Sequence, residues 1–140
     1  MNLTKRSVGV VLSVTGFTAL GLGVPTAAAD VTRVDANPGL SYTWTPDGGF
    51  EQRFGTNCIY ALTAAVDNPA PVSFYDFQTA STVLPGHLAR VIDGTATVAW
   101  IPHATGGHRI MAYQTSAGGP DVTVQVGTGI PLGPACFVLP

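Results

Sequence analysis

Proline and glycine interrupt this chain too often for a helix of ordinary length. The 140 residues include 17 Gly and 11 Pro, and beyond residue 30 no interval between such breaks shows the three-to-four-residue apolar spacing of a helix. What recurs is a short β-branched or aromatic run followed by turn residues, the pattern of strands. The chain is therefore expected to be all-β.

Val31 to Asp35 reads as a first strand, ended by Asn37-Pro38-Gly39. Leu40 to Thr45 and Phe50 to Phe54 flank Pro46-Asp47-Gly48-Gly49. That proline presets φ and those glycines accept positive φ, so a hairpin is expected over residues 40–54. Cys58 to Val66 is the longest apolar run and is apolar on nearly both faces, as for a central strand covered on two sides. Val72 to Phe77 and His87 to Ile92 follow, and the tight-turn pair Asp93-Gly94 leads into Thr95 to Ile101. His108 to Gln114 is a further strand. Val122, Val124 and Val126 then alternate with Thr123 and Gln125, which puts the valines on one inward face. Residues 127–140 hold three Pro and are expected to be coil. About 7–9 short strands at regular spacing predict an antiparallel immunoglobulin-like β-sandwich, with a small closed barrel as the competitor.

The N-terminus bears on the compartment. Lys5 and Arg6 precede an apolar run from Ser7 to Val24, and Pro25-Thr26-Ala27-Ala28-Ala29 follows. This is the arrangement of a secretory signal peptide, with small residues where the peptidase cleaves. Residues 1–29 are therefore expected to be the signal peptide and residues 30–140 the exported domain. An uncleaved anchor is the alternative, but Ser13, Thr15, Thr18 and four glycines dilute the run's apolarity. The formal net charge of −2 changes with this cut, since both lysine and one arginine leave with the leader. The exported part keeps four Arg against eight acids, −4, with no basic cluster. Nucleic acid and anionic membrane are thereby excluded as expected partners, because both need grouped Lys or Arg. No second membrane-length apolar run follows.

Export also governs Cys58 and Cys136, the two cysteines of the chain. In an oxidising compartment a disulfide is their expected state. It would tie the tail 127–140 to the strand starting near Cys58, and closing a loop of this length is worth about 4.5 kcal/mol in the chain-entropy account.

Three segments together resemble the bacterial Ig-like domains of surface proteins. They are Val72-Ser73-Phe74-Tyr75-Asp76, then Gly94-Thr95-Ala96-Thr97-Val98-Ala99-Trp100-Ile101-Pro102, then Gly106-Gly107-His108-Arg109-Ile110-Met111-Ala112. Those modules carry V-x-F-x-D, G-x-A-x-V-x-W-x-P and G-x-H-x-I-x-A in this order, and the match spans about half the chain, Cys58 to Val126. The resemblance implies an Ig-like sandwich in adhesion, spacing or ligand presentation, without enzymatic chemistry. It gives Trp100 a place in the core and His108 a structural one. Two features depart from the family: a single copy with no internal repeat, and a cysteine pair. Residues 38–56 have no counterpart in it.

Chemistry-bearing groups are sparse. His87, His103 and His108 are the imidazoles, there is no Gly-x-Ser-x-Gly elbow, and the acids are dispersed beside turn residues. His103 and His108 flank one loop, with Asp76 and Asp93 as conceivable further metal ligands, yet loop and strand-surface roles are expected for them. No metal and no cofactor are expected. Tyr42, Trp44, Phe50 and Phe54 of the hairpin are the candidate binding residues. Packing into the core is their ordinary role, whereas a flat exposed patch would suit sugar rings or a protein partner. The expected function is that of a secreted non-catalytic domain whose partner is a protein or glycan at the cell surface. A small carbohydrate-binding or inhibitor-like module using the hairpin is the alternative, and a secreted hydrolase a more remote one.

Overall fold

A computed structural model describes residues 31–78 and 80–140. The segment read as a signal peptide, 1–29, lies outside the described residues. Fourteen strands follow one another: β1 Val31–Asn37, β2 Ser41–Trp44, β3 Phe50–Gln52, β4 Phe54–Gly55, β5 Tyr60–Val66, β6 Val72–Asp76, β7 Ser81–Leu84, β8 Leu88–Ala89, β9 Val91–Ile92, β10 Thr95–Pro102, β11 Gly106–Tyr113, β12 Asp121–Gly127, β13 Gly129–Leu132 and β14 Ala135–Val138. They form three sheets, ordered β1-β5-β10-β7 with β9 on β10, β4-β12-β11-β6-β8, and β13-β14-β2-β3.

The first two sheets are an immunoglobulin-like sandwich, and the strand order shows it directly. Seven core strands taken in chain order as A to G (β1, β5, β6, β7, β10, β11, β12) fall into A-B-E-D and G-F-C, the two sheets of the constant-type immunoglobulin fold. The alternation of side chains builds the core between them. β5 turns Tyr60, Leu62, Ala64 and Val66 inward, directly opposite Trp100, Val98 and Ala96 of β10. From the facing sheet come Val72 and Phe74 of β6 with Ile110 and Ala112 of β11. The Asp93-Gly94 turn has positive φ at both residues, 50° and 75°, as a two-residue hairpin loop requires.

Several expectations need correction. The count of 7–9 holds for the seven core strands, while the short strands β4, β8 and β9 bring the sandwich to ten and the third sheet adds four. The first sheet is antiparallel throughout, but the other two are mixed: β4 runs parallel to β12, and β14 parallel to β2. β5 is covered on one side only. Its other face carries Ala61, Thr63 and Ala65, small residues whose apolar character needed no cover. The segment 127–140 is not coil but the hairpin of β13 and β14. Pro131 is tolerated there because β13 is an edge strand, whose outward N–H position needs no partner.

The third sheet joins the two parts of the chain that lie outside the seven-strand plan. Residues between β1 and β5 supply β2 and β3, and residues after β12 supply β13 and β14. We call it the accessory sheet. Its inner face carries Ser41, Thr43, Cys136 and Val138, all buried. Cys136 is bonded to Cys58 with Cα atoms 6.0 Å apart. The Ser41 hydroxyl meets the Tyr60 hydroxyl at 2.8 Å, and the Gly55 amide donates to that same phenol oxygen at 2.6 Å. Close approach of backbones completes the junction, since a Cβ on Gly129 would lie 2.4 Å from the Thr56 carbonyl oxygen. A side chain at position 129 therefore forces the sheet off its seat. Gly129→Ala is expected to cost about 2 kcal/mol of stability, an overpacking penalty, visible as a lowered urea midpoint. Reduction of Cys58–Cys136 is expected to lower stability by up to about 4.5 kcal/mol in the same measurement; an unchanged midpoint after reduction contradicts the role given to the bond.

Candidate functional site

Pleating divides the accessory sheet into an inner and an outer face. Because Ser41 and Thr43 point inward, Leu40, Tyr42 and Trp44 point outward. Register carries that face across the other strands. Phe137 of β14 lies beside Tyr42, Gln52 of β3 lies opposite Tyr42, and Ile130 of β13 lies opposite Phe137. One level along, Phe50 lies opposite Trp44, and Leu139 follows on the parity of Phe137. At the other end are Leu132, paired with Ala135, and Leu40, whose carbonyl accepts from the Cys136 amide. The outer face thus presents aromatic and aliphatic side chains without one ionised group. Leu40, Trp44, Phe50, Ile130, Leu132 and Leu139 are each 42 to 65% exposed, half of the exposed large hydrophobics among the described residues. Scattered surface apolar residues are ordinary, whereas these six lie together on one face of one sheet.

The four hairpin aromatics separate in the structure. Trp44 and Phe50 stand exposed and pack edge to face, with ring centroids 5.4 Å apart and planes at 84°. Tyr42 is half-buried in the middle row. Phe54 does not belong to the patch and does not share a strand with Phe50. The chain leaves β3 at Arg53 and enters β4, which pairs with β12, so Phe54 turns toward Tyr60 and Trp100 at 4.9 and 6.0 Å. Its ring is a core ring.

Charge lies at the margin of the face. Glu51 and Arg53 form a pair at 3.5 Å with both side chains more than half exposed, an interaction of little energetic consequence. In the Pro46–Gly49 turn, Asp47 is held below the usual carboxylate range by the Thr45 hydroxyl and by its own backbone amide. A cavity of about 450 Å³ opens beside the sheet's lower edge, between Leu40, Ile59, Pro131 and Pro134 above the disulfide.

The imidazoles lie in three separate places. His87 Nδ1 meets the Phe74 carbonyl at 3.1 Å. His103 is exposed, between the Thr82 hydroxyl at 2.8 Å and Asn57 Oδ1 at 3.0 Å. His108 is fully buried. Its Nε2 donates to the Ala104 carbonyl at 2.7 Å, and its Nδ1 lies 2.7 Å from Asp76 Oδ2, which also accepts from Trp100 Nε1 at 3.0 Å. Both ring nitrogens are engaged by acceptors within the core, so the imidazole presents neither of them to a substrate. Residue reading alone did not bring these three together, although each is the polar or large residue of one of the three motif segments. Among the described residues no group of three or more His, Cys, Asp or Glu side chains is placed to hold a metal ion. No helix of the described residues is long and apolar enough to cross a membrane.

No protein-family model matches the chain, and no curated protein matches it. Among solved structures it is similar to domains 4–9 of the surface layer protein SbsC, at 13% identity and a TM-score of 0.40 over 74% of this chain, which spans 15% of that one. It is also similar to a chimeric titin Z1Z2 functionalised with a KLER peptide from decorin, at 11% identity and a TM-score of 0.27, over 79% of this chain and 96% of that one.

Removing the shared acceptor leaves a buried imidazole and indole without their partner. Asp76→Ala is therefore expected to cost about 3–5 kcal/mol, measured by chemical denaturation. A loss below about 1 kcal/mol, the size of a single exposed hydrogen bond, contradicts the bridging role.

Proposed function

We propose that the protein is a secreted, non-catalytic Ig-like module of the bacterial surface-protein type, which makes protein contacts outside the cell through the outer face of its accessory sheet. The observation that carries this reading is the uncharged apolar outer face of that sheet, held on a rigid, disulfide-tied support. Core centres of protein interfaces have this composition: aromatic anchors, aliphatic neighbours and charges confined to the rim. The leader-like sequence of residues 1–29 supports the extracellular setting, as does the Cys58–Cys136 bond.

A glycan is favoured less. Sugar stacking uses flat rings flanked by hydrogen-bonding groups, whereas Trp44 and Phe50 stand perpendicular to each other. Most of the remaining face is Leu and Ile, and Gln52 and the Tyr42 hydroxyl are its polar groups.

Photo-crosslinking from the face on intact cells tests the reading. With p-benzoylphenylalanine in place of Phe50, the exported protein is expected to yield protein adducts. The same probe at Ile92, equally exposed on the first sheet, is expected to yield none of them. Identical adduct patterns from the two positions, or carbohydrate adducts alone at position 50, count against it.

A further inference from the structure

We propose that the partner for this face is a second copy of the chain, joined by a two-fold axis lying in the plane of the face. The proposal rests on the reading of the face as a protein-contact surface and names its occupant.

Area comes first. The six exposed side chains together leave on the order of 600 Å² of apolar surface in water, on the scale of ~150–250 Å² for one whole aromatic side chain. That is the upper end for the largest patch on a monomer, ~300–600 Å². A standard interface takes ~800 Å² from each partner. The half-buried Tyr42 and Phe137, with Gln52 at the edge, supply the remainder.

Charge comes next. A partner of arbitrary sequence brings ionised groups, which this face cannot pair and would have to desolvate. A second copy brings none, and its Glu51 and Arg53 stay at the wet margin.

Trp44 and Phe50 occupy one corner and Leu132 the corner diagonally opposite, with the row Ile130, Phe137, Tyr42 and Gln52 between them. A two-fold axis running along the other diagonal carries the aromatic corner of each copy onto the aliphatic corner of its mate. Strands of the two copies then cross near a right angle, one of the two orientations in which sheets pack face to face. The contact is isologous, so it closes at two copies and does not propagate.

Sedimentation equilibrium of the protein purified after export tests the proposal. A monomer–dimer equilibrium is expected, with dissociation in the range of about 1–100 µM. It is expected to hold in high salt, because the contact is apolar. Phe50→Asp and Leu132→Asp are each expected to weaken it by about 30-fold, the size of a hot-spot loss. Ile92→Asp, a surface change away from the face, is expected to leave it unchanged and serves as the folding control. A chain that stays monomeric to about 100 µM, or a dimer indifferent to both face substitutions, overturns the second copy as occupant. The wider reading fails separately, by the absence of position-50 protein adducts on cells. A monomeric chain that still gives adducts of another protein therefore sinks only the present proposal.

Discussion

A carboxylate buried between two sheets is the constraint on which this sandwich depends. Asp76 of β6 accepts from Trp100 of β10 across the core and pairs with His108 of β11 beside it. One oxygen thereby links the two sheets and two neighbouring strands of one of them. Its side chain is 3% exposed and that of His108 is not exposed at all. Buried polar groups of this kind are tolerable only while each partner stays in reach. The register of β6 against β11, which sets Asp76 opposite Ile110 and so beside His108, cannot slip by one residue without stranding all three groups. The Ala104 carbonyl closes the network at the far side of the imidazole. The ring is thus a structural member, and the aromatic cluster of Trp100, Tyr60 and Phe54 is built against it.

That sandwich carries a third sheet that lies outside the seven-strand plan. The insertion between β1 and β5 and the tail after β12 meet as one sheet. Its inner face is anchored by Cys58–Cys136, by the Ser41–Tyr60–Gly55 hydrogen bonds and by the close crossing at Gly55 and Gly129. Anchoring one face of a four-stranded sheet leaves the other in water. A sheet covered on one side ordinarily presents polar residues on the other. This one presents Trp, Phe, Leu and Ile, an inversion of the usual pattern.

Much of the sandwich was legible from residues. Alternation of Val122, Val124 and Val126 gave strand and inward face together, and Asp93-Gly94 marked the hairpin into Thr95–Pro102. Turn chemistry and period-two patterning act within a few residues, so they can be read locally. The cysteine pairing was also legible, from number and compartment. Reading failed where the outcome was set by distant segments. Three prolines made residues 127–140 look like coil, yet β14 is a strand because β2 offers it a ladder. Phe50 and Phe54 looked like one face of one strand, yet the chain changes sheet at Arg53 and sends Phe54 inward.

By itself, then, the sequence determined the all-β class, the inward face of the Val122–Val126 strand, the core place of Trp100, the disulfide and the sparse set of chemistry-bearing residues. These follow from backbone preference, side-chain parity and composition, which each residue carries with it. Only the tertiary structure decided that Asp76, Trp100 and His108 share one network. It alone decided that Tyr42, Trp44 and Phe50 extend through Phe137 and Ile130 into a single exposed face. Parity says which residues of a strand lie together, but not which strand will be its neighbour or whether anything will cover it. That choice belongs to long-range pairing, where the loop entropy of joining positions 41 and 136 is offset by a disulfide and a buried inner face.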